Sequence, residues 1–519
     1  MSETYYVTTP IYYVNDVPHI GHAYTTIAAD VLARFHRAQQ LDVRFLTGTD
    51  EHGIKIYKAA QAKGMGPGQL GDSVVVHFQD LWEKLEITHD DFIRTTEDRH
   101  EKRVQKFVQL LVDRDEIYQG DYEGWYDEGQ EEFVTESTAR ENDFKSAING
   151  RPLVRFAEPA WFFRLGKWVP RLIEHIEANP GFVAPEARRN EVLSKLKQGV
   201  EDLCISRSVE KLPWGVAMPN DASHVVYVWI DALSNYCSAL GIPEAGLADD
   251  GQFAKYWPAD VHLIGKDILW FHAVYWPCML MALDIQLPRC VFAHGWWTSE
   301  GKKMSKTLGN FISREQIDEI CQEYSVDVFR YYLLRAVTFG ADGDFSREMF
   351  QTRYNTELAN TVGNLLSRTV NMISRYFDGQ IPEGGDSVSE KADLVAAAVK
   401  LAAGCAEDMG ACRFQDYIEN VLAVADATNR FIDQTEPFRL AKDPTQTDRL
   451  GEILQACAEA CRIVLLALSP IMPEKARQGL AMLNATIDEN QPLADQAAWG
   501  NSLDGGRVSK SDPLFPRKQ

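Results

Sequence analysis

Residues 3–53 confine this chain to very few architectures. Residues 3–14 are crowded with Tyr, Val, Ile and Thr, the composition of a buried strand. Residues 23–40 place apolar side chains at helical spacing, with Ile27, Val31, Leu32 and Phe35 on one face. Residues 43–46 read as a second strand, which runs into Thr47-Gly48-Thr49-Asp50-Glu51-His52-Gly53. A strand, a helix and a strand in so short a span form a βαβ unit and require a parallel sheet. In such sheets ligands bind beyond the carboxyl ends of the strands, at helix N-termini. Both the segment His19-Ile20-Gly21-His22 and the loop at Asp50 are predicted there.

The same rhythm returns later. Residues 225–230 read as a strand, 232–240 as a helix, 261–264 as a strand and 268–283 as a long apolar helix, with a further strand beginning at 291–293. Between the two stretches, aromatics and turn residues such as Gly120, Gly124, Gly129, Gly150 and Pro152 break the chain into short segments. That region reads as an insertion. Farther on the pattern is helical only: Leu394, Ala397, Leu401 and Cys405 share one face, and Ile418, Leu422, Ala425 and Ile432 another, as in an antiparallel bundle. With 519 residues the chain exceeds one domain. The predicted division is 1–116 and 224–295 for the two halves of an α/β doubly wound sheet domain, 117–223 for the insertion, 296–347 for a linker region, and 348–519 for the bundle.

Charge and cysteine usage narrow the function. Lys and Arg number 53 against 75 Asp and Glu, a formal net charge of −22. Such a chain is a poor non-specific binder of nucleic acid or anionic membrane. A local basic stretch still stands out, with Lys302, Lys303, Lys306 and Arg314 uninterrupted by any acid. Nine cysteines without a C-x-x-C pair support neither a zinc ribbon nor a thioredoxin motif. Their odd number, and a start that lacks a basic apolar leader, fit a reducing cytoplasm. No apolar run is long enough for a membrane span.

Two motifs carry chemistry. His19 and His22 lie three positions apart where a helix begins, so both imidazoles can face one ligand. Gly21 leaves room for close approach, and the helix end adds partial positive charge. A polyphosphate suits that arrangement, although two surface histidines in a helix cap would look the same. The second motif, Gly301-Lys302-Lys303-Met304-Ser305-Lys306-Thr307, offers lysine point charges on a small-residue loop. Alone it competes with a solvated basic turn. Found together at opposite ends of the reconstructed sheet domain, the two resemble the paired signatures of class I aminoacyl-tRNA synthetases.

Further segments make the resemblance closer. Residues 6–15, 47–53, 203–207, 228–232, 262–268 and 303–307 are similar, in order and spacing, to those of methionyl-tRNA synthetases. The resemblance implies a Rossmann-like sheet split by a connective insertion and followed by an all-α anticodon-binding bundle. It implies a methionine-tRNA ligase that forms methionyl-adenylate and pyrophosphate from methionine and ATP, with Mg2+ arriving on ATP, then esterifies the 3′-terminal adenosine of tRNA(Met), initiator and elongator. It assigns ATP binding to His19, Gly21, His22, Lys303, Ser305 and Lys306, with His19, His22, Lys303 and Lys306 catalytic. Ile11, Tyr13, Asp50, Trp229, Ala232, Tyr236, Ile268 and His272 would line the methionine site, Asp50 holding the ammonium group. Aromatic rings suit a polarizable thioether. Asn364, Arg368 and Phe438 would read the anticodon, Phe438 standing where the family has tryptophan.

Two departures shape the remaining expectations. Asp127 and Gln130 occupy what resemble the places of the family's first zinc-knuckle cysteines, so no zinc is expected. Nothing after Gln519 provides the dimerising domain that some relatives carry, so a monomer is expected. Three other readings compete: a class I synthetase for a branched amino acid, which would need a larger editing insertion; a small-molecule nucleotidyltransferase, which would not need the bundle; and a non-catalytic RNA-binding paralogue, which would have no use for both signatures.

Overall fold

The computed structural model describes residues 3–519 except 130–131, 135, 243–250, 300–301, 304–311, 501–502 and 504. The chain forms two compact units, one of Thr4–Ala29 and Val43–His294, the other of Met1–Glu3, Asp30–Asp42 and Gly295–Gln519.

The first unit is built on a six-stranded sheet. Its strands are β1 (Thr4–Tyr13), β2 (Asp42–Asp50), β3 (Asp91–Arg94), β4 (Val183–Ala184), β5 (Val261–Gly265) and β6 (Val291–His294). They lie in the order β3-β2-β1-β5-β6-β4. The pairings β2–β3, β1–β5, β5–β6 and β6–β4 are parallel. Sequence order thus runs outward in one direction through β1, β2 and β3 and in the other through β5 and β6. The change of direction between β1 and β5 is the switch point at which doubly wound sheets bind ligands. Tyr6, Val7, Thr8 and Thr9 of β1 are fully buried, as expected of a central strand covered on both faces. Gly48 of β2 is required by close approach: a Cβ there would stand 2.0 Å from the Ile93 carbonyl oxygen of β3.

The insertion contains a four-stranded sheet whose two long strands, Ile117–Asp127 and Val154–Phe163, pair antiparallel. A separate three-stranded antiparallel sheet joins Ser206–Ser208, Ala217–Met218 and Asp221–Val226. This corrects the strand expected at 225–230. Asp221–Val226 belongs to the small sheet, and the chain is already helical at Val228–Leu233, followed by Asn235–Ser238. A continuous apolar run is buried as strand or as helix, and hydrophobicity does not distinguish them. The helix expected at 268–283 is also more varied. A 3₁₀ turn at Lys266–Ile268 leads to a wide π turn at Phe271–Tyr275 and then to the α-helix Trp276–Ala282. Pro277 has no N–H to donate to the preceding turn, and the widened turn accommodates that loss.

The second unit is largely helical. Ala392–Gly410, Phe414–Thr435 and Thr447–Leu468 pack on one another, the last with nearly every side chain buried. Asp30 and Arg330 form a fully buried ion pair of 2.7 Å. Arg330 also donates to the carbonyls of Ile471 and Pro470, at 2.8 and 3.2 Å. These bonds satisfy a charge that would otherwise be very costly to bury.

Candidate active site

The β1–α1 turn delivers the first motif. Helix α1 spans Ile20–Ala38, and the His19 carbonyl accepts the Ala23 N–H at its first turn. The rings of His19 and His22 lie 3.9 Å apart between centroids. The Gly21 N–H donates to His19 Nδ1 at 3.0 Å, and the His19 N–H to His22 Nδ1 at 3.2 Å. Tyr12 of β1 and Phe78 wall the His22 ring at 4.8 and 5.4 Å. Burial, with the His19 ring beside it, holds the His22 pKa well below the usual histidine value. His22 is therefore a neutral hydrogen-bonding group at physiological pH. A Cβ on Gly21 would stand 2.9 Å from His19 Cε1, so glycine is what lets the two rings fold together.

Asp50 ends β2 and is buried, and its neighbours fix the loop. The fully buried Glu51 carboxylate accepts two bonds from the Arg94 guanidinium, at 2.7 and 2.9 Å, and the hydroxyls of Thr49 and Thr96, each at 2.7 Å. The Glu51 N–H donates to Thr95 Oγ1 at 2.9 Å, and its carbonyl accepts the Trp214 indole at 2.7 Å. A loop so fully hydrogen-bonded has little freedom to move its carboxylate.

A cluster of buried aromatic side chains includes Trp229, Tyr236 and Phe271. Trp229, on the Val228–Leu233 helix, stacks face to face on Phe271 at 3.7 Å and meets the Tyr13 ring edgewise at 6.5 Å. Its buried indole N–H has no hydrogen-bond partner among the described residues. Tyr236 stacks on His262 at 4.1 Å. Its hydroxyl lies 2.7 Å from His272 Nε2, while His272 Nδ1 lies 3.0 Å from the Ile268 carbonyl. A carbonyl only accepts, so Nδ1 carries the proton and Nε2 accepts from Tyr236. Burial pushes the His272 pKa down to about 4, which keeps the ring in this neutral tautomer. Ile11, Tyr13 and Ile268 pack against the core that contains Trp229 and Tyr236. Ala232 is buried on the same short helix as Trp229. The chemistry on offer is a mostly apolar cluster of rings around a neutral imidazole–phenol pair.

Comparison with known proteins decides the family. A family model of class I tRNA synthetases (M) matches residues 5–142 and 141–370. The methionine–tRNA ligase of Caldanaerobacter subterraneus is 46% identical over 100% of this chain and 79% of its own length. That of Rickettsia conorii is 45% identical over 94% of each chain. The chain belongs to the methionyl-tRNA synthetase family. A Mycobacterium tuberculosis methionyl-tRNA synthetase in complex with methionyl-adenylate matches the fold with a TM-score of 0.92 and 38% identity, over 99% of this chain and 100% of the other.

The other expected site residues fall elsewhere. Of the basic motif, the backbone of Lys302 and Lys303 pairs antiparallel with Ser299 and Thr298. Ser305 and Lys306, like Thr307, lie outside the described residues. In the helical unit Asn364 is exposed at the start of Asn364–Tyr376. One turn on, Arg368 makes a 3.0 Å ion pair with Asp433. Phe438 is 45% exposed, just beyond the left-handed Glu436 that ends the Phe414–Thr435 helix. Gln130 also lies outside the described residues, whereas the Asp127 carboxylate accepts the Gly129 N–H at 2.8 Å. Among the described residues no cluster of three His, Cys, Asp or Glu side chains could hold a metal ion. Nor is any described helix long and apolar enough to cross a membrane.

Sequence reasoning passed over Phe271 and His262, which stack on Trp229 and Tyr236, and Asp231, which bonds His52 and His100. His262 and Asp231 sit inside segments already noted for their resemblance, at 262–268 and 228–232.

Proposed function

We propose that this protein is the cell's methionine-tRNA ligase, acting in the cytoplasm. The methionine carboxylate attacks the α-phosphorus of ATP, the bond to the β-phosphate breaks, and pyrophosphate leaves. The 3′-terminal ribose hydroxyl of tRNA(Met) then attacks the adenylate carbonyl and AMP leaves. No protein nucleophile is needed, so catalysis consists of positioning and charge stabilisation.

The observation that carries this reading is the Tyr236–His272 pair set among Trp229, Tyr13 and Phe271. Rings favour a thioether over a plain alkyl chain of equal length, and a neutral imidazole–phenol pair neither attracts a charged side chain nor repels sulfur. Asp50 takes the substrate ammonium. His19, Gly21 and His22 receive the phosphates at the start of α1. Because His22 is neutral, cationic stabilisation of the departing pyrophosphate falls to Lys303 and Lys306, with Ser305 as a hydroxyl donor. Mg2+ enters with ATP as part of the substrate. Asn364, Arg368 and Phe438 read the anticodon.

Charging of tRNA(Met) with labelled methionine tests the proposal. Wild-type protein should form acid-precipitable, alkali-labile methionyl-tRNA, and Asp50→Asn should raise the methionine KM at least tenfold while leaving the ATP KM alone. Charging by Asp50→Asn with wild-type constants would overturn the pocket assignment.

A further inference from the structure

A buried cluster of titratable groups beside the pocket has no part in the mechanism above. Asp231 is 1% exposed and sits between Trp229 and Ala232 on the Val228–Leu233 helix. Its Oδ2 accepts from His52 Nδ1 at 2.8 Å, and its Oδ1 from His100 Nε2 at 2.7 Å. His100 is fully buried on the Asp98–Asp113 helix, and its Nδ1 meets Ser238 Oγ at 2.7 Å. His52 follows Asp50 by two positions and is itself buried. One carboxylate therefore joins the segment that follows Asp50, the helix that carries Trp229 and Ala232, and a second helix, Asp98–Asp113.

The electrostatics agree with this geometry. The charged groups facing His52 are Asp231, Glu101 at 3.5 Å from Nε2, and Asp50, with the Trp214 ring at 5.4 Å. Burial alone would lower the His52 pKa, but Asp231 overrides it, helped by Glu101 and Asp50, and raises it to about 10. Burial would likewise raise the Asp231 pKa, but His52 and His100 draw it down to about 2. A charged pair in so dry a place is tolerable only with strict geometry, and strict geometry fixes whatever the pair connects.

We propose that Asp231 is a positioning residue for amino-acid binding: by gripping His52 and His100 it sets the Trp229–Ala232 wall against the Asp50 loop. It touches no substrate. What it fixes is the span between the cluster of rings and the carboxylate that holds the ammonium group. This inference rests on the methionine-pocket assignment above.

The test is ATP–pyrophosphate exchange by the full chain, with methionine and ATP varied separately between about pH 6 and 9. Asp231→Asn keeps the shape but removes the charge. It should raise the methionine KM about ten- to hundredfold, as expected for misplaced binding groups, with the ATP KM unchanged. Its methionine KM should also gain an ionisation within that pH range, because His52 loses its carboxylate; the wild-type KM should be flat. A purely structural role would lower the amount of active protein without moving either readout. Should Asp231→Asn not fold, His52→Gln is read in the same assay and should raise the methionine KM alone. Asp50→Asn, run alongside, separates the two claims. If Asp50→Asn impairs methionine binding while Asp231→Asn, or His52→Gln in its place, retains the wild-type methionine KM, the positioning role is refuted and the pocket stands. If Asp50→Asn itself is without effect, the pocket assignment fails, and the inference with it.

Discussion

Tyr236→Phe removes one oxygen atom from a buried side chain. The ring remains, so its stack on His262 at 4.1 Å is kept and no cavity opens. What is lost is the 2.7 Å bond from the phenol to His272 Nε2. His272 cannot compensate by reversing its tautomer, because Nδ1 must stay protonated to serve the Ile268 carbonyl at 3.0 Å. Protonating Nε2 is no remedy either, since burial holds the ring's pKa down at about 4. A buried acceptor is left unpaired, which costs about 1–3 kcal/mol. Even at the lower end, a unit of this size should lose roughly 2 °C in Tm. The second consequence concerns methionine. A His272 ring freed from its hydroxyl partner no longer presents one fixed face to the side chain. If the binding loss is about 1.4 kcal/mol, the methionine KM rises about tenfold. Differential scanning calorimetry and pyrophosphate exchange measure the two effects independently. A Tyr236→Phe protein with wild-type Tm and wild-type methionine KM would refute the argument that this pair orders the pocket.

Three further outcomes follow from other parts of the structure. Gly21→Ala should fold normally but lose at least about tenfold in exchange rate, because the new Cβ, 2.9 Å from His19 Cε1, must part the two imidazoles; circular dichroism and exchange kinetics check this. The stability gap between wild type and Asp231→Asn should be widest between about pH 4 and 6.5. His52 has its pKa raised to about 10, so its contribution is full below the usual 6.5 and fades as pH rises through 10; Asp231, lowered to about 2, contributes above the usual 3.8 and fades as pH falls through 2. A thermal-melt difference that stayed constant from pH 5 to pH 10 would contradict that linkage. Phe438→Trp, which adds an indole N–H to an exposed stacking face, should sharpen discrimination against anticodon-mutant tRNA(Met) in charging assays, and equal discrimination by both proteins would sink the idea.

The early βαβ unit was legible because strand-forming composition, helical periodicity and turn residues agree over residues 3–53. The strands observed at Thr4–Tyr13 and Asp42–Asp50 and the helix at Ile20–Ala38 follow from local pattern alone. The helix at Val228–Leu233 was not legible, because Val225 to Leu233 is apolar almost throughout and burial erases the difference between the two periods. His19 and Asp50 could be singled out from their place at strand ends. The Asp231 cluster could not: its three members are scattered along the chain, and nothing local distinguishes a paired buried carboxylate from an exposed one. Phe271 was hidden for a related reason, since a stacking partner looks like any core aromatic until the backbone brings it over Trp229.

Amino-acid-dependent ATP–pyrophosphate exchange with each of the twenty amino acids, against a Lys306→Ala control, tests the central claim most directly. The account predicts strong exchange with methionine alone, abolished or nearly so in the control. Exchange with a different amino acid, or none at all from folded protein supplied with Mg2+, would contradict it.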